Sequence, residues 1–194
     1  MQTLPCIAII VGSTRPGRNS EAVADWLFRI AETRTDTEFE LIDLCEVDLP
    51  FLDEPVSARA AANMKIEYSH PHTQNWSETV KRYDGFVFVV PEYNRSIPAV
   101  LKNALDYLYS EWANKPAGIV SYGAQGGARA SAQLRLILGE LHMPTVATEL
   151  NLMLYTDFQD FTFFAPAEVH SKTADTLLNQ VAEWTLALRA LRAA

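Results

Sequence analysis

A nine-residue segment near the N-terminus has the residue types that bind phosphate. Gly12–Ser20 reads Gly-Ser-Thr-Arg-Pro-Gly-Arg-Asn-Ser, and a segment with helical spacing of apolar residues follows it. A helix N-terminus presents unpaired N–H groups and a partial positive charge, to which hydroxyl and guanidinium groups add hydrogen bonds and charge. The segment therefore predicts a phosphate-binding loop, and its candidate ligands are Ser13, Thr14, Arg15, Arg18 and Ser20.

This loop differs from better-known phosphate sites. It has neither the GxGxxG of a dinucleotide fold nor the Gly-Lys-Ser/Thr of a nucleoside triphosphatase. Cys6 lies within the preceding apolar run, which excludes the cradle of a thiol phosphatase. A simpler interpretation stays open, in which Ser20 only caps the helix and the two arginines are solvated.

Two further segments place polar groups after apolar runs. Pro91–Asp106 begins Pro-Glu-Tyr-Asn-Arg-Ser-Ile-Pro, and its prolines restrict the backbone, so N–H and C=O groups can be aimed at a planar ligand. Glu92 has no histidine or second carboxylate beside it in sequence, and no catalytic acid or base is predicted. The glycines of Ser121–Gly127 allow the backbone to approach a ring closely, or they only form a tight turn.

The elements that position these loops follow an α/β alternation. Short continuous apolar runs, typical of buried parallel strands, alternate with segments in which apolar residues recur every three or four positions. This pattern predicts one α/β domain over residues 1–194, with a parallel sheet and helices on both faces. The predicted strands are Pro5–Val11, Phe39–Leu44, Phe86–Val90, Gly118–Tyr122 and Thr145–Thr148.

Composition excludes several classes of partner. The 194 residues carry a formal charge of −8, and lysine and arginine are scattered, so neither nucleic acid nor an anionic membrane surface is expected as a partner. The longest apolar runs are of strand length. No basic region precedes the first of them, and a cytoplasmic location is the expectation.

Two stretches, Glu46–Asn75 and Glu149–His170, do not fit the alternation. The second contains five aromatic residues within positions 155–164, which indicates either a satellite apolar cluster or a subunit interface. His70 and His72 lie in the first, but no third ligand is indicated, and no metal is expected. Cys6 and Cys45 are interpreted as two buried thiols, with a disulfide as the less favoured alternative.

Together, three motifs resemble those of the NADPH-dependent FMN reductases, which include flavodoxin-like quinone, azo-dye and chromate reductases. They are the loop Gly12–Ser20, the Pro-Glu-Tyr-Asn segment with Leu-Lys-Asn-Ala-Leu-Asp behind it, and Ser-Tyr-Gly-Ala-Gln-Gly-Gly. The resemblance spans roughly Ile7–Leu141. It implies a flavodoxin-like three-layer fold with strand order 2-1-3-4-5, tightly but non-covalently bound FMN, and NADPH or NADH as electron donor.

The resemblance also implies roles for individual residues. The family's ligands of the FMN phosphate correspond to Ser13, Arg15, Arg18, Asn19 and Ser20. The residues that border the flavin ring correspond to Pro91, Glu92, Tyr93 and Asn94. Those on the pyrimidine side of the ring correspond to Ser121, Gly123 and Gly126. The chain departs from many relatives at Arg95, where an aromatic residue is common, so specificity does not carry over at that position.

The function that this resemblance implies is that of an NAD(P)H oxidoreductase. A hydride passes from nicotinamide to FMN, and the electrons then pass to a quinone, an azo compound, free flavin or a similar small acceptor. A homodimer or homotetramer is expected. The alternatives are a non-enzymatic, flavodoxin-like electron carrier and a redox-sensing partner-binding protein. The two arginines of the first loop favour the reductase over flavodoxins, whose phosphate loop is usually rich in threonine and serine.

Overall fold

The computed structural model describes residues 4–192, and its centre is a five-stranded sheet in the order β2-β1-β3-β4-β5. All four pairings between neighbouring strands are parallel. The predicted flavodoxin-like order is therefore confirmed. The strands are β1 Cys6–Val11, β2 Glu38–Asp43, β3 Gly85–Pro91, β4 Ala117–Gly123 and β5 Thr145–Met153, and a small antiparallel hairpin follows with β6 Phe158–Gln159 and β7 Phe163–Phe164.

Helices cover both faces of the sheet. On one face, the side chains of β1 and β3 that point that way pack against α1 and α7. On the other face, Phe86 and Phe88 of β3 meet Trp112 and residues of α4, α5 and α6. Every residue of β3 and β4 is buried, which explains their continuous apolar runs. The helices are α1 Ser20–Ala31, α2 Leu44–Val47, α3 Ala58–Met64, α4 Pro71–Lys81, α5 Ala99–Asp106, α6 Ala128–Glu140 and α7 Val169–Arg192.

The first stretch that did not fit the alternation contains helices. Helix α3 lies within it, and α4 begins in it. The buried face of α4 consists of Thr73, Trp76, Ser77 and Val80, spaced by three and four residues. Two of these are polar, which hides the helical pattern from a count of apolar residues.

The second stretch extends the sheet and then forms the hairpin. Strand β5 continues to Met153, five residues beyond the predicted end at Thr148. Phe158 is buried against Tyr122, and Phe164 contacts Trp26 of α1. Tyr155, Phe161 and Phe163 are more than half exposed. The segment is thus in part a satellite cluster, while its outer aromatic rings remain open to solvent.

Some predicted details are wrong. Cys45 is exposed rather than buried, because the chain turns outward into α2 directly after β2, and Cys6 is half-buried; both thiols are free. Helix α7 buries Leu177 and Val181, whereas Trp184 and Leu191, nearer its C-terminus, are exposed. Among residues 4–192, no helix has the length and apolarity needed to cross a bilayer.

Candidate flavin site

The loops after β1, β3 and β4 meet at the carboxyl edge of the sheet. The Ser13 hydroxyl lies 2.8 Å from the Tyr93 hydroxyl, and Arg15 Nε donates to that same Tyr93 oxygen at 3.3 Å. The N–H of Glu92 donates to the carbonyl of Tyr122 at 2.9 Å. The structure therefore brings together the three segments that the sequence predicts as one site.

The first loop delivers donors to the start of α1. Because Asn19 is its N-cap, the first N–H groups of this helix have no acceptor within the helix. The Ser20 hydroxyl is fully buried and has no hydrogen-bond partner of good geometry among the described residues, although Tyr122 lies near it. A buried donor without an acceptor is costly, so this position favours a ligand that supplies one.

The two arginines of this loop are in different states. Arg18 is largely buried, and its Nη2 lies 2.5 Å from carboxylate oxygens of both Asp43 and Glu21. Arg15 is exposed and has no carboxylate partner among residues 4–192. Of the two guanidinium groups that the sequence predicts as phosphate ligands, only that of Arg15 is available without breaking an ion pair.

Asn19 has a structural bond that the sequence does not reveal. Its side-chain amide donates to the carbonyl of Phe161 at 2.8 Å, which ties the first loop to the tip of the hairpin. The two residues are 142 positions apart, and neither carries a local signal for the other. The Asn19 side chain makes no capping hydrogen bond to α1.

The second loop ends in a tight turn over Tyr93–Ser96. The two terminal residues exchange backbone hydrogen bonds of 2.9 and 3.1 Å. The central residues, Asn94 and Arg95, have φ values of 49° and 70°, as a type I′ turn requires. This turn fixes the direction of the Tyr93 side chain toward the first loop.

Glu92 braces the second loop against α6. Its carboxylate accepts from the backbone N–H of Arg129 at 3.1 Å and from Nη1 of the same arginine at 2.8 Å. Only 12% of the Glu92 side chain is exposed. An acidic group is favourable at the N-terminus of a helix, where it also satisfies an unpaired N–H. Glu92 therefore has a positioning role in this geometry, and sequence reasoning missed its partner Arg129.

In the third loop, the predicted residues hold the turn. The Ser121 hydroxyl donates to the carbonyl of Gly126 at 2.7 Å and accepts from Nδ2 of Asn151 at 2.8 Å. Gly126 has φ +67°, and a Cβ there would lie 2.9 Å from Cβ of Asn151. A Cβ on Gly123 would press on Glu92 Cβ at 3.2 Å. The turn alone is thus a sufficient reason for these glycines, and Pro91, the last residue of β3, is buried behind it.

The histidine pair lies elsewhere. His70 and His72 are stacked with ring centroids 5.2 Å apart, and His72 shares a 2.9 Å hydrogen bond with Asp53. The bond to His72 holds the pKa of Asp53 below its usual value, and bonds from Tyr107 and the charge of His70 add to this. Within residues 4–192, no group of three or more His, Cys, Asp or Glu side chains is arranged to hold a metal ion.

The residues at the carboxyl edge fit FMN. A buried hydroxyl without a partner, the N–H groups at the start of α1 and an exposed guanidinium form a donor set for a phosphate dianion. The braced Pro-Glu-Tyr-Asn segment and the glycine turn supply backbone groups beside it for a planar ring.

Comparison with known proteins agrees with this fit. The family model of NADPH-dependent FMN reductases matches residues 5–157. An NAD(P)H-dependent FMN reductase from Nectria sp is 38% identical over 176 residues, which cover 90% of this chain and 83% of that protein. A quinone reductase from Pseudomonas putida is 34% identical over 152 residues, 74% of this chain and 75% of that protein.

A solved structure shares the fold. It is that of FerB, a flavoenzyme NAD(P)H:(acceptor) oxidoreductase from Paracoccus denitrificans, with a TM-score of 0.70 at 21% sequence identity. The match covers 93% of this chain and 98% of that one. With a family model that matches most of the sequence and a relative that is 38% identical over 90% of it, the chain belongs to the NADPH-dependent FMN reductase family.

Proposed function

We propose that this protein is an FMN-dependent NAD(P)H oxidoreductase that reduces a small-molecule acceptor, with quinones, azo compounds and free flavin as the candidate acceptors. The observation that carries the proposal is the meeting of three loops at the carboxyl edge, joined by the contacts of Tyr93 and Glu92. Bound FMN supplies the chemistry, since it accepts a hydride from nicotinamide and delivers the electrons to the acceptor.

The phosphate end of the site is assigned to the first loop. Arg15, the Ser20 hydroxyl and the first N–H groups of α1 would hold the phosphate of FMN. Ser13 acts through Tyr93, whose hydroxyl it bonds. Arg18 and Asn19 hold the loop in place, through Asp43 and the hairpin respectively.

The ring end is assigned to the second and third loops. Tyr93 and Asn94 would border the ring, and the Glu92–Arg129 pair fixes the backbone of their loop in the absence of a ligand. Preorganisation of this kind lowers the ordering cost of binding. The turn through Gly123 and Gly126 would lie against the pyrimidine side of the ring, because these residues carry no side chain that would keep the ring away.

Catalysis then requires no acid, base or nucleophile from the protein. Glu92, the carboxylate of the second loop, is engaged with Arg129 on two atoms and is held as a brace. The protein's part is to bind, to orient and to leave one ring face open to donor and acceptor in turn.

We further propose that the chain forms a homodimer or homotetramer through the hairpin. Tyr155, Phe161 and Phe163 expose large aromatic surfaces within ten residues, next to the Asn19 bond that ties the hairpin to the first loop. Phe163→Ser should shift the protein toward a monomer in size-exclusion chromatography with light scattering. A wild-type monomer at micromolar concentration would refute this assignment.

The cytoplasmic location stays a prediction, which cell fractionation tests.

The function is tested by mixing the purified, FMN-loaded protein with NADPH or NADH in the absence of oxygen. The flavin absorption should bleach rapidly with at least one donor and return on addition of a quinone. An electron carrier would bind FMN but show no rapid bleaching by either donor. A redox-sensing partner-binding protein would likewise show no rapid bleaching by either donor.

A further inference from the structure

The turn at the tip of the second loop has an unusual residue. A type I′ turn requires positive φ at both central positions, and Asn-Gly is its preferred sequence. This chain has Asn94-Arg95, with φ +70° at Arg95. A side chain in that conformation is disfavoured relative to glycine. Glycine would adopt this conformation at lower cost, so Arg95 occupies the position at the expense of some conformational strain.

The side chain at this position is an unpaired cation. Arg95 is exposed, and it has no ion-pair or side-chain hydrogen-bond partner among residues 4–192. The acid nearest to it in sequence, Glu92, is paired with Arg129. The net charge of the chain is −8, so an unpaired guanidinium at the site is a local exception on a surface that repels anions.

The turn that carries Arg95 is joined to the first loop. The turn begins at Tyr93, whose hydroxyl contacts both Ser13 and Arg15. Tyr93 therefore joins the turn that carries Arg95 to the loop that carries Arg15. Under the proposed function, Arg15 is engaged by the phosphate of FMN, which leaves Arg95 for the second anionic ligand of the reaction, the dinucleotide.

We infer that Arg95 binds the 2′-phosphate of the donor and makes the protein selective for NADPH over NADH. This inference rests on the proposed function. A guanidinium presents parallel N–H donors that match a phosphate dianion, and NADH lacks that group. Since both donors share the pyrophosphate and the nicotinamide, a residue that reads the 2′-phosphate changes the ratio of their affinities, whereas a pyrophosphate contact would weaken both alike.

The test measures binding as well as turnover. NADP⁺ and NAD⁺ are titrated calorimetrically into the FMN-loaded protein, and kcat/KM is measured for NADPH and NADH. The wild type should prefer the phosphorylated form in both measurements. Arg95→Gln should weaken NADP⁺ binding by about 10- to 100-fold and leave NAD⁺ binding within about twofold.

Three further variants separate charge from conformation. Arg95→Lys should keep part of the preference, because it keeps the charge but loses the fork geometry. Arg95→Gly should lose the preference while the protein becomes more stable. Lys65→Gln is the matched control, since Lys65 is also an exposed cation with positive φ, 54°, at the end of α3; it should change neither affinity.

Two results would overturn the inference. One is a wild type with equal affinity for NADP⁺ and NAD⁺, and the other is an equal loss of both in Arg95→Gln, which would indicate a pyrophosphate contact. In either case, rapid bleaching of the wild-type flavin by a reduced donor would leave the proposed function standing. Failure of bleaching by both donors would remove the proposed function itself.

Discussion

The two edges of the parallel sheet carry charge in different ways. At the carboxyl edge, Arg15 and Arg95 are exposed and have no carboxylate partner among the described residues. At the amino edge, Glu111 is buried and accepts hydrogen bonds from the hydroxyls of Ser77 at 2.7 Å and Tyr68 at 3.2 Å. The first arrangement leaves donors available to a ligand, and the second consumes them inside the protein.

Two more groups at the amino edge follow the same pattern. Asp84 accepts from the N–H of Cys6 at 3.2 Å and from Nη2 of Arg192 at 2.8 Å, so it joins the start of β1 to the end of α7. Lys115 is 7% exposed, and its Nζ donates to the carbonyl of Val80 at 2.8 Å. These groups line a cavity of about 400 Å³, but their bonds hold helices and strands together. The comparison teaches that an exposed charged side chain without an ion-pair partner is a better candidate for ligand binding than one whose bonds join elements of the fold.

The largest expected effect concerns Lys115. Burial, together with the nearby charge of Arg192, lowers the pKa of its ammonium group from 10.5 to about 8. Between about pH 8 and 10.5, the unfolded chain binds a proton at this lysine that the folded chain does not, so stability should rise with pH. Over that window the gain is on the order of 3 kcal/mol.

Urea unfolding of the wild type and of Lys115→Met, from pH 7 to pH 10.5, checks this expectation. The stability of the variant relative to the wild type should fall as pH rises, because the variant lacks the titrating group. A constant difference between the two proteins would contradict the assignment of a depressed pKa to Lys115.

The next effect in size is the loss of Glu111. Glu111→Ala removes the acceptor of the Ser77 and Tyr68 hydroxyls and should lower the free energy of unfolding by about 2–3 kcal/mol. The dissociation constant for FMN should stay within about twofold of the wild-type value, because the residue lies at the opposite edge. Glu111→Gln keeps one acceptor oxygen and should lose less. A large loss of FMN affinity with unchanged stability would contradict the purely structural role of Glu111.

The same comparison predicts the reverse result at the carboxyl edge. Arg15→Met should weaken FMN binding by about 2 kcal/mol, roughly 30-fold, because it removes a charge-assisted contact with the phosphate. The free energy of unfolding of the FMN-free protein should change by less than about 0.5 kcal/mol, since the side chain is exposed. Arg59→Met, at another exposed arginine, which pairs with Glu140 on the surface, is the control and should alter neither quantity. Unchanged FMN affinity in Arg15→Met would refute the phosphate site.

The sequence predicted the sheet and the three site loops because their signals are local. A continuous apolar run marks each central strand, and the residue types after it mark each loop. In the sequence, however, Arg15 and Arg18 of the first loop are equally good candidates for phosphate ligands. Only the fold shows which of the two is paired with carboxylates. Arg18 meets Asp43 because β1 and β2 are paired in parallel, so the residues that follow their ends become neighbours.

Partners that are distant in sequence could not be predicted, because only the fold brings them together. Glu92 and Arg129 are 37 positions apart, and Asn19 and Phe161 are 142 apart. A single side chain carries no trace of a partner at such a separation. Helix α4 escaped for a different reason, since the polar residues Thr73 and Ser77 lie on its buried face.

The measurement that tests the central claim most directly compares FMN with riboflavin, which has the same ring but no phosphate. Fluorescence titration of the FMN-free protein should show one FMN bound per chain and a much weaker affinity for riboflavin, by about 100-fold or more, if the first loop binds a phosphate dianion. Arg15→Met should reduce the difference in affinity between FMN and riboflavin. Equal affinities for FMN and riboflavin, or no binding of FMN, would contradict the account of the carboxyl edge.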